Sequence, residues 1–201
     1  MDESYIHPSA LVETKQIGKG TRIWAFSHVM DDVVIGTNCN IGDHCFIESG
    51  VTIGDNVTIK NANEIWDGVR LMDGVFVGPH VTFTNDLYPR SPRLAEASTR
   101  YTDRKWLVPT TVNRGASLGA GAVMLAGISV GEFSTVGAGS IVTRDVAPYS
   151  LVIGNPARPR GWVCRCGQRL TFQDDMARCN KCTRRFAKHD GMLNIVDAIA
   201  G

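Results

Sequence analysis

Four cysteines near the C-terminal end of the 201-residue sequence have the spacing of a metal site. Cys164 and Cys166 form one close pair, and Cys179 and Cys182 form another, with twelve residues between the pairs. Four thiolates bind Zn²⁺ in a tetrahedron that leaves no position open for catalysis, and Gly167 permits the sharp turn that such a ligand pair needs. We therefore predict a structural zinc site. Two disulfide bonds are the alternative, which a cytoplasmic location disfavours.

A second group of polar side chains opens an irregular stretch at residues 84–105. Asn85 offers an uncharged hydrogen-bond acceptor, and Asp86 offers a carboxylate that can hold an amine or relay a proton. Tyr88 can stack on a ligand or hydrogen-bond to it, and Arg90 can grip a diphosphate or a carboxylate with two parallel bonds. Loops of this length inside a compact fold are usually functional or disordered, so we predict a binding or catalytic site here.

The elements that must position this site follow a six-residue period. Eleven units fill residues 17–82, and each unit opens with Ile, Leu or Val. Successive side chains of a strand point to opposite faces, so the fifth residue of one unit and the first residue of the next both point inward. Corners such as Gly54-Asp55-Asn56 separate these short strands. Because one unit cannot bury its apolar side alone, the coils must stack, and the sequence predicts an all-β solenoid.

The same period sets the predicted domain organisation. It returns at Trp106 after the loop, so we expect a solenoid domain over residues 1–160 and a small zinc-ribbon-like tail over 161–201, with a short helix at 192–200. Cys39 and Cys45 occupy inward fifth positions, where a free cysteine acts as a small buried hydrophobe.

Composition narrows the class of partner. The net charge is +1 and 43% of residues are hydrophobic. A near-neutral chain gives no electrostatic reason to expect nucleic acid or a membrane surface as partner, and the acidic start Met1-Asp2-Glu3 lacks a signal-peptide core. We therefore expect a cytoplasmic protein.

The period resembles that of the hexapeptide-repeat acyltransferases, whose coils form a left-handed parallel β-helix with 18 residues per turn. The segment Phe83-Thr84-Asn85-Asp86-Leu87-Tyr88-Pro89-Arg90, the Gly-Ala-Gly units and the ending Gly154-Asn155-Pro156-Ala157-Arg158 are similar to the branch that N-acetylates 3-amino sugars on nucleotide carriers. The resemblance implies an acetyl-CoA-dependent enzyme of surface polysaccharide or O-antigen synthesis, working as a homotrimer with sites between subunits. UDP-2-acetamido-3-amino-2,3-dideoxyglucuronate is the implied substrate, with a dTDP-3-amino-3,6-dideoxyhexose as the alternative.

The resemblance also implies roles in the loop. Asn85 accepts a hydrogen bond from the sugar amine and aims its lone pair, and the amine proton ends on the departing sulfur. From their chemistry, Asp86 and Asp67 are candidates to hold the amine or relay a proton, with solvated turn residues as the alternative. Tyr88 and Arg90 are the candidates for binding the sugar nucleotide, and a subunit interface is the alternative for both.

With 18 residues per turn, residues 18 apart stack, so Asn85 lies over Asp67. If the chain re-enters after the loop without skipping a face, the corners Gly119-Ala120-Gly121 and Gly137-Ala138-Gly139 continue the edge that carries Asn85. Such bare backbone would let an extended pantetheine arm lie close and hydrogen-bond to the main chain. Arg144 and Arg158, near the upper end of the solenoid, are the candidates for the CoA phosphates.

Other functions remain open. A sugar O-acetyltransferase would need a histidine base, yet His28, His44 and His80 each fall on a different face or coil from Asn85. A carbonic-anhydrase-like solenoid would need histidines that share a zinc ion, but His44 and His80 are two coils apart. A non-catalytic hexapeptide scaffold is the alternative outside the enzyme class.

Overall fold

The computed structural model describes residues 3–189 and 192–196, and almost all regular structure in them is β-strand. The strands before the loop are β1 (Tyr5–Ile6), β2 (Leu11–Val12), β3 (Arg22–Ile23), β4 (His28–Val29), β5 (Val34–Ile35), β6 (Asn40–Ile41), β7 (Phe46–Ile47), β8 (Thr52–Ile53), β9 (Thr58–Ile59), β10 (Glu64–Ile65), β11 (Val69–Leu71), β12 (Phe76–Val77) and β13 (Thr82–Phe83). The loop contains the short helix α1 (Ala95–Ser98) and a 3₁₀ turn (Thr99–Tyr101).

The later strands complete the solenoid and build the tail. They are β14 (Thr110–Val112), β15 (Ser117–Leu118), β16 (Val123–Met124), β17 (Ser129–Val130), β18 (Thr135–Val136), β19 (Ile141–Val142), β20 (Ser150–Ile153), β21 (Arg158–Val163), β22 (Arg169–Leu170), β23 (Phe172–Gln173), β24 (Met176–Arg178), β25 (Arg185–His189) and β26 (Met192–Ile195).

Three parallel sheets form the faces of a prism. The first face holds β1, β3, β6, β9, β12, β15, β18 and β20; the second holds β2, β4, β7, β10, β13, β16 and β19; the third holds β5, β8, β11, β14 and β17. We call the corner between the first and second faces the first edge, that between the second and third the second edge, and that between the third and first the third edge. The predicted hexapeptide β-helix is confirmed.

The core lies inside the prism and consists of the first and fifth residues of the units. The opening residues from Ile23 to Val142 are at most 2% exposed wherever they start a regular unit. Cys39 and Cys45 are buried among them, as predicted. Asn63 takes a fifth position at 0% exposure, because its Oδ1 accepts the Val81 N–H at 2.9 Å. The inward polar group is therefore satisfied by the coil above.

The loop is longer than predicted. The chain leaves the solenoid after Phe83 and re-enters at Thr110, and an antiparallel bridge between Asp86 and Leu107 closes the loop at its base. Trp106, which we expected to open the returning repeat, lies inside the loop, with its ring 5.5 Å from that of Tyr101. The prediction that the repeat restarts at Trp106 was therefore wrong.

This difference changes the register above the loop. Phe83 pairs with Met124, whereas the expected stacking would have placed Leu118 above it. Leu118 pairs with Val77 instead, and the N–H of Gly121 donates to the carbonyl of Pro79 at 2.9 Å. The expectation that the two Gly-Ala-Gly corners share the edge of the loop was therefore wrong: they lie on the first edge, while the loop leaves the second edge.

The tail continues the first face before forming its own sheet. β21 runs antiparallel to β20, so the predicted boundary at residue 160 falls within a strand. β23, β24, β25 and β26 then form a four-stranded sheet. Residues 192–195 are strand and pair with β25, so the predicted helix was wrong there; its remainder at 197–200 lies outside the described residues. Alternate burial explains the strand, since Leu193 is buried while Met192 and Asn194 are exposed.

Within the described ranges, no helix has the length and apolar character needed to span a bilayer.

The two ends of one Gly-Ala-Gly corner should respond differently to an added methyl group. A Cβ on Gly119 would lie 2.5 Å from the backbone nitrogen of Ala138, whereas a Cβ on Gly121 would meet nothing within 4 Å. Gly121 has a φ of +65°, which costs an alanine about 1–2 kcal/mol. We expect Gly119→Ala to lower the free energy of unfolding by about 2–3 kcal/mol and Gly121→Ala by about 1 kcal/mol. Thermal unfolding of ligand-free protein checks this order, and the reverse order would contradict the stacking of the two corners.

Candidate functional site

Asn85 lies where the loop leaves the second edge. Its side-chain Nδ2 donates to the backbone carbonyl of Asp67 at 3.3 Å, and its backbone carbonyl accepts the N–H of Val108 at 2.9 Å. These contacts join Asn85 to the coil below and to the returning end of the loop. They confirm that Asn85 stacks over Asp67, and they leave the side-chain Oδ1 without a hydrogen-bond donor among residues 3–189 and 192–196. Asn85 thus presents an acceptor from a fixed, half-buried amide.

Asp86 holds the two arms of the loop together. Its Oδ1 accepts the N–H of Tyr88 at 2.8 Å and a bond from Arg100, and its Oδ2 accepts the hydroxyl of Tyr101 at 3.0 Å. Burial acts to raise the pKa of the Asp86 carboxyl, but the bonds from Arg100, Tyr88 and Tyr101 outweigh burial and hold the pKa below its ordinary value. The side chain is therefore ionised at neutral pH, with both oxygens engaged.

Asp67 makes a second connection between the solenoid and the loop. Its carboxylate forms an ion pair with Arg104, and its N–H donates to Oε2 of Glu48 at 2.8 Å. The Asp67 side chain is 16% exposed and the Arg104 side chain 71%, so solvent weakens this pair more than the partly buried pair of Asp86 and Arg100.

Tyr88 and Arg90 project from the loop on an ordered backbone. The N–H of Arg90 donates to the Tyr101 hydroxyl at 3.0 Å, and that hydroxyl donates to Asp86. Tyr88 is 71% exposed, and the guanidinium carbon of Arg100 lies 5.9 Å from its ring centre. Both predicted substrate-binding side chains are therefore accessible to a ligand.

The first edge carries a smooth strip of backbone. Ala120, Gly121, Ala138 and Gly139 are exposed, and nothing within 4 Å covers Gly121 or Gly139. The predicted bare strip exists, but it lies across the second face from Asn85. The corner directly beneath it contains His80. His44 is two coils below His80, as predicted, with Ala62 between them.

Arg144 and Arg158 lie together. Both side chains line one cavity of about 280 Å³ with Asp145, Ala157 and Pro159. The corner of Arg144 is on the second edge, two coils above Asn85, so the two corners are separated by about 10 Å along the solenoid. The structure thus brings together the two arginines predicted to bind the CoA phosphates.

The four tail cysteines converge. Their Sγ atoms all lie within 4.8 Å of one another, and the closest pairs are Cys164 with Cys182 at 3.3 Å and Cys166 with Cys179 at 3.5 Å. All four are free thiols, so the disulfide alternative was wrong for this structure. Gly167 has the left-handed φ of +85° expected at the turn. A tetrahedron of sulfurs around zinc needs S···S separations of about 3.8 Å, which this cluster fits.

The thiol environments also suit a metal site. The backbone N–H of Arg184 is the main cause that lowers the pKa of Cys182 to about 6, so this sulfur is a thiolate at neutral pH. Burial raises the pKa of Cys164 to about 12. A divalent cation would supply the charge that keeps a buried thiolate ionised.

Sequence reasoning missed the arginines that position the loop. Nothing in the sequence pairs Arg100 with Asp86 or Arg104 with Asp67. The available signal was the cluster of basic residues at the end of the loop, which can pair with the acidic Asp86 at its start.

Removing Arg100 should loosen the loop more than removing Arg104. We expect Arg100→Ala to speed amide hydrogen exchange about tenfold or more at residues 86–101, and Arg104→Ala to change it less, because the latter pair is exposed. Hydrogen exchange followed by mass spectrometry makes the comparison. Since the pKa of Asp86 is lowered, the wild-type protection should persist above about pH 4 and fall only as the pH drops through the lowered value. Equal effects of the two variants would contradict this ranking.

Comparisons with known proteins agree with this geometry. The family model "Bacterial transferase hexapeptide (six repeats)" matches residues 14–49, and "Hexapeptide repeat of succinyl-transferase" matches residues 109–144. Among solved structures, the UDP-N-acetylglucosamine acyltransferase from Campylobacter jejuni superposes with a TM-score of 0.56 at 17% identity. That match covers 80% of this chain and 69% of the other, and it shows a shared fold alone.

Two curated relatives differ in how much they share with the chain. The bifunctional protein GlmU of Thermotoga sp. (strain RQ2) is 28% identical over 183 residues, covering 81% of this chain and 41% of GlmU. The dTDP-3-amino-3,6-dideoxy-alpha-D-galactopyranose 3-N-acetyltransferase of Aneurinibacillus thermoaerophilus is 50% identical over 190 residues, which are 94% of each chain. The protein therefore belongs to the hexapeptide-repeat acetyltransferases, in the family of this 3-N-acetyltransferase.

Proposed function

We propose that the protein transfers the acetyl group of acetyl-CoA to the 3-amino group of a dTDP-linked 3-amino-3,6-dideoxyhexose. The observation that carries the proposal is the 50% identity, over 94% of both chains, to an enzyme named for that reaction. This relative favours the dTDP-linked substrate over the UDP-linked glucuronate that the sequence resemblance placed first.

Asn85 is the residue to which we assign the orientation of the amine. Its Nδ2 is held by the Asp67 carbonyl, so Oδ1 can accept a hydrogen bond from the neutral amine and direct its lone pair. The nitrogen attacks the thioester carbonyl, a C–N bond forms, the C–S bond breaks, and the amine proton passes to the thiolate of CoA. Because the proton passes to CoA, the reaction needs no protein base.

Asp86 and Asp67 have positioning roles in this proposal. The contacts of Asp86 with Tyr88, Arg100 and Tyr101 occupy both of its oxygens, which supports loop closure over proton relay. Asp67 fixes Asn85 through its carbonyl and the loop through its carboxylate. Tyr88 and Arg90 are the proposed contacts for the sugar nucleotide.

The two parts of the proposed site lie on different edges of one prism. We therefore propose a homotrimer in which the strip of Gly121 and Gly139 from one protomer faces the Asn85 loop of the next. Acetyl-CoA would lie between protomers with its pantetheine along the strip, and the cavity of Arg144 and Arg158 would take its phosphates. This arrangement replaces the single-edge path that the sequence predicted.

The tail is proposed to bind one structural Zn²⁺ through Cys164, Cys166, Cys179 and Cys182. The cluster of free sulfurs and the lowered pKa of Cys182 support this assignment. The ion would hold the turn after β21 against the turn after β24, which strengthens a module too small to build a large core of its own.

The release of CoA tests the proposed reaction. We expect wild-type protein to release CoA from acetyl-CoA with a dTDP-3-amino-3,6-dideoxyhexose, with kcat/KM about tenfold or more above that for a UDP-linked 3-amino sugar. Asn85→Ala should lower kcat about 100-fold or more, because the amine loses its oriented acceptor, while CoA binding stays unchanged. Thiol detection follows turnover, and mass spectrometry of the product verifies the acetamide.

Two further variants make the assignment specific. Asn113→Ala removes another half-buried corner amide, bonded to Ser129 Oγ at 3.1 Å on the third edge, and should keep most activity. His80→Ala should do the same. Loss of turnover in His80→Ala with normal turnover in Asn85→Ala would replace the proposed mechanism by a histidine base beneath the glycine strip.

Metal analysis tests the zinc assignment. We expect one zinc per chain in wild-type protein and none in Cys182→Ser, with a lower melting temperature after chelation because the ion stabilises only the folded tail. Cys45→Ala is the matched control, since it removes a buried thiol of the solenoid and should keep the metal. Stoichiometric zinc in Cys182→Ser would refute the four-cysteine site.

A further inference from the structure

A cleft of about 540 Å³ lies between the third edge of the solenoid and the turn that begins at Cys164. Charged side chains from two parts of the chain line it: the solenoid corners contribute Asp55, Asp73 and Arg114, and the tail contributes Arg165. The cleft is on a different edge from the loop of Asn85. Neither the proposed transfer nor the structural role of zinc explains why these charges converge.

Two guanidinium groups meet at one aromatic ring in this cleft. The guanidinium carbon of Arg165 lies 4.8 Å from the centre of the Phe133 ring, and that of Arg114 lies 5.8 Å from it. The Nε of Arg165 donates to the Tyr149 hydroxyl at 3.2 Å, which leaves its terminal nitrogens available. Neither arginine takes part in any of the ion pairs found in the described part of the chain.

The Phe133 ring is held in place by its neighbours. The residue's φ of +53° is the corner conformation that Phe26 and Tyr149 also adopt. The ring stacks on Tyr149 with centres 5.7 Å apart. Gly115 makes room for it, since a Cβ there would lie 2.4 Å from the ring. The platform under the two arginines is therefore rigid, and it limits the orientations that their planes can take.

Hydroxyl groups and carboxylates complete the lining. Ser117 and Thr135 are direct neighbours on β15 and β18, and both face the cleft. On the other side, Asp55 accepts the N–H of Thr37 at 2.6 Å, and Asp73 accepts the N–H of Asp55 at 2.9 Å. A carboxylate has about four acceptor positions, so each of these side chains can accept a further bond from a ligand hydroxyl.

We propose that this cleft binds a nucleotide, with its phosphates on Arg114 and Arg165 and a sugar hydroxyl on Asp55 or Asp73. Guanidinium groups grip phosphate oxygens through parallel, charge-assisted bonds, and carboxylates accept bonds from ribose hydroxyls. The combination of both charges in one cleft fits a ligand that carries anionic and donor groups at opposite ends. Since Arg165 lies between Cys164 and Cys166, the zinc turn positions one of the two phosphate contacts. The site does not rest on the proposed acetyl transfer.

Calorimetric titration of zinc-loaded protein with ADP tests the site. We expect Arg114→Ala and Arg165→Ala each to weaken the Kd for ADP about tenfold or more, through loss of charge-assisted bonds. Arg178→Ala removes an exposed arginine of the same tail outside the cleft and should leave the Kd unchanged. Competition by CoA or by dTDP then identifies the nucleotide that the site takes.

Controls separate binding from folding. Zinc content and melting temperature are measured for every variant, and Arg114→Lys, which keeps the charge on a solenoid residue outside the cysteine turns, should lose affinity less than Arg114→Ala. No binding of ADP at millimolar concentration, or equal Kd values in wild type and both alanine variants, would overturn the proposal. Because the readout is binding without an acetyl donor, its failure leaves the proposed reaction untouched.

Discussion

The close contact between successive coils is the constraint on which the rest of the structure depends. Parallel strands hydrogen-bond at about 4.8 Å, so each corner must pass within that distance of the corner above. At Gly36, a Cβ would lie 2.6 Å from the backbone of Gly54. The same spacing makes the main chain of Asp67 the partner of Asn85, one coil below. The side-chain amide of Asn85 is thus positioned by the coil beneath it.

The six-residue period predicts which residues point inward but not which face they occupy after an interruption. The buried residues of the regular coils, including Cys39 and Cys45, follow the period on both sides of the loop. Trp106 and Leu107 look like the start of a repeat, yet they pack inside the loop, and the solenoid resumes only at Thr110. Each strand after the loop lies one face earlier than predicted, so the glycine strip lies on the first edge and not on the second. The pairings of Phe83 with Met124 and of Val77 with Leu118 fix that register.

The tail shows the same division between local and long-range information. The spacing of the four cysteines predicted their convergence, because each pair forms a local turn. The terminal segment was predicted as a helix. The conformation of so short a segment depends on its neighbours, and Met192–Ile195 pairs with β25 as a strand. The cleft of Arg114, Phe133 and Arg165 had no signal in the sequence. Arg114 and Phe133 come from separate coils and Arg165 from the tail, and they meet only where the tail packs against the solenoid.

The proposed site is divided between two edges, and this division favours one kind of assembly. In a twofold dimer each surface meets its own copy, so the glycine strip would face another strip and the Asn85 loop another loop. A ring joins two different surfaces at every contact, which lets the strip of one protomer face the loop of the next. The position of the strip on the first edge therefore makes the proposed site depend on a neighbouring protomer in such a ring.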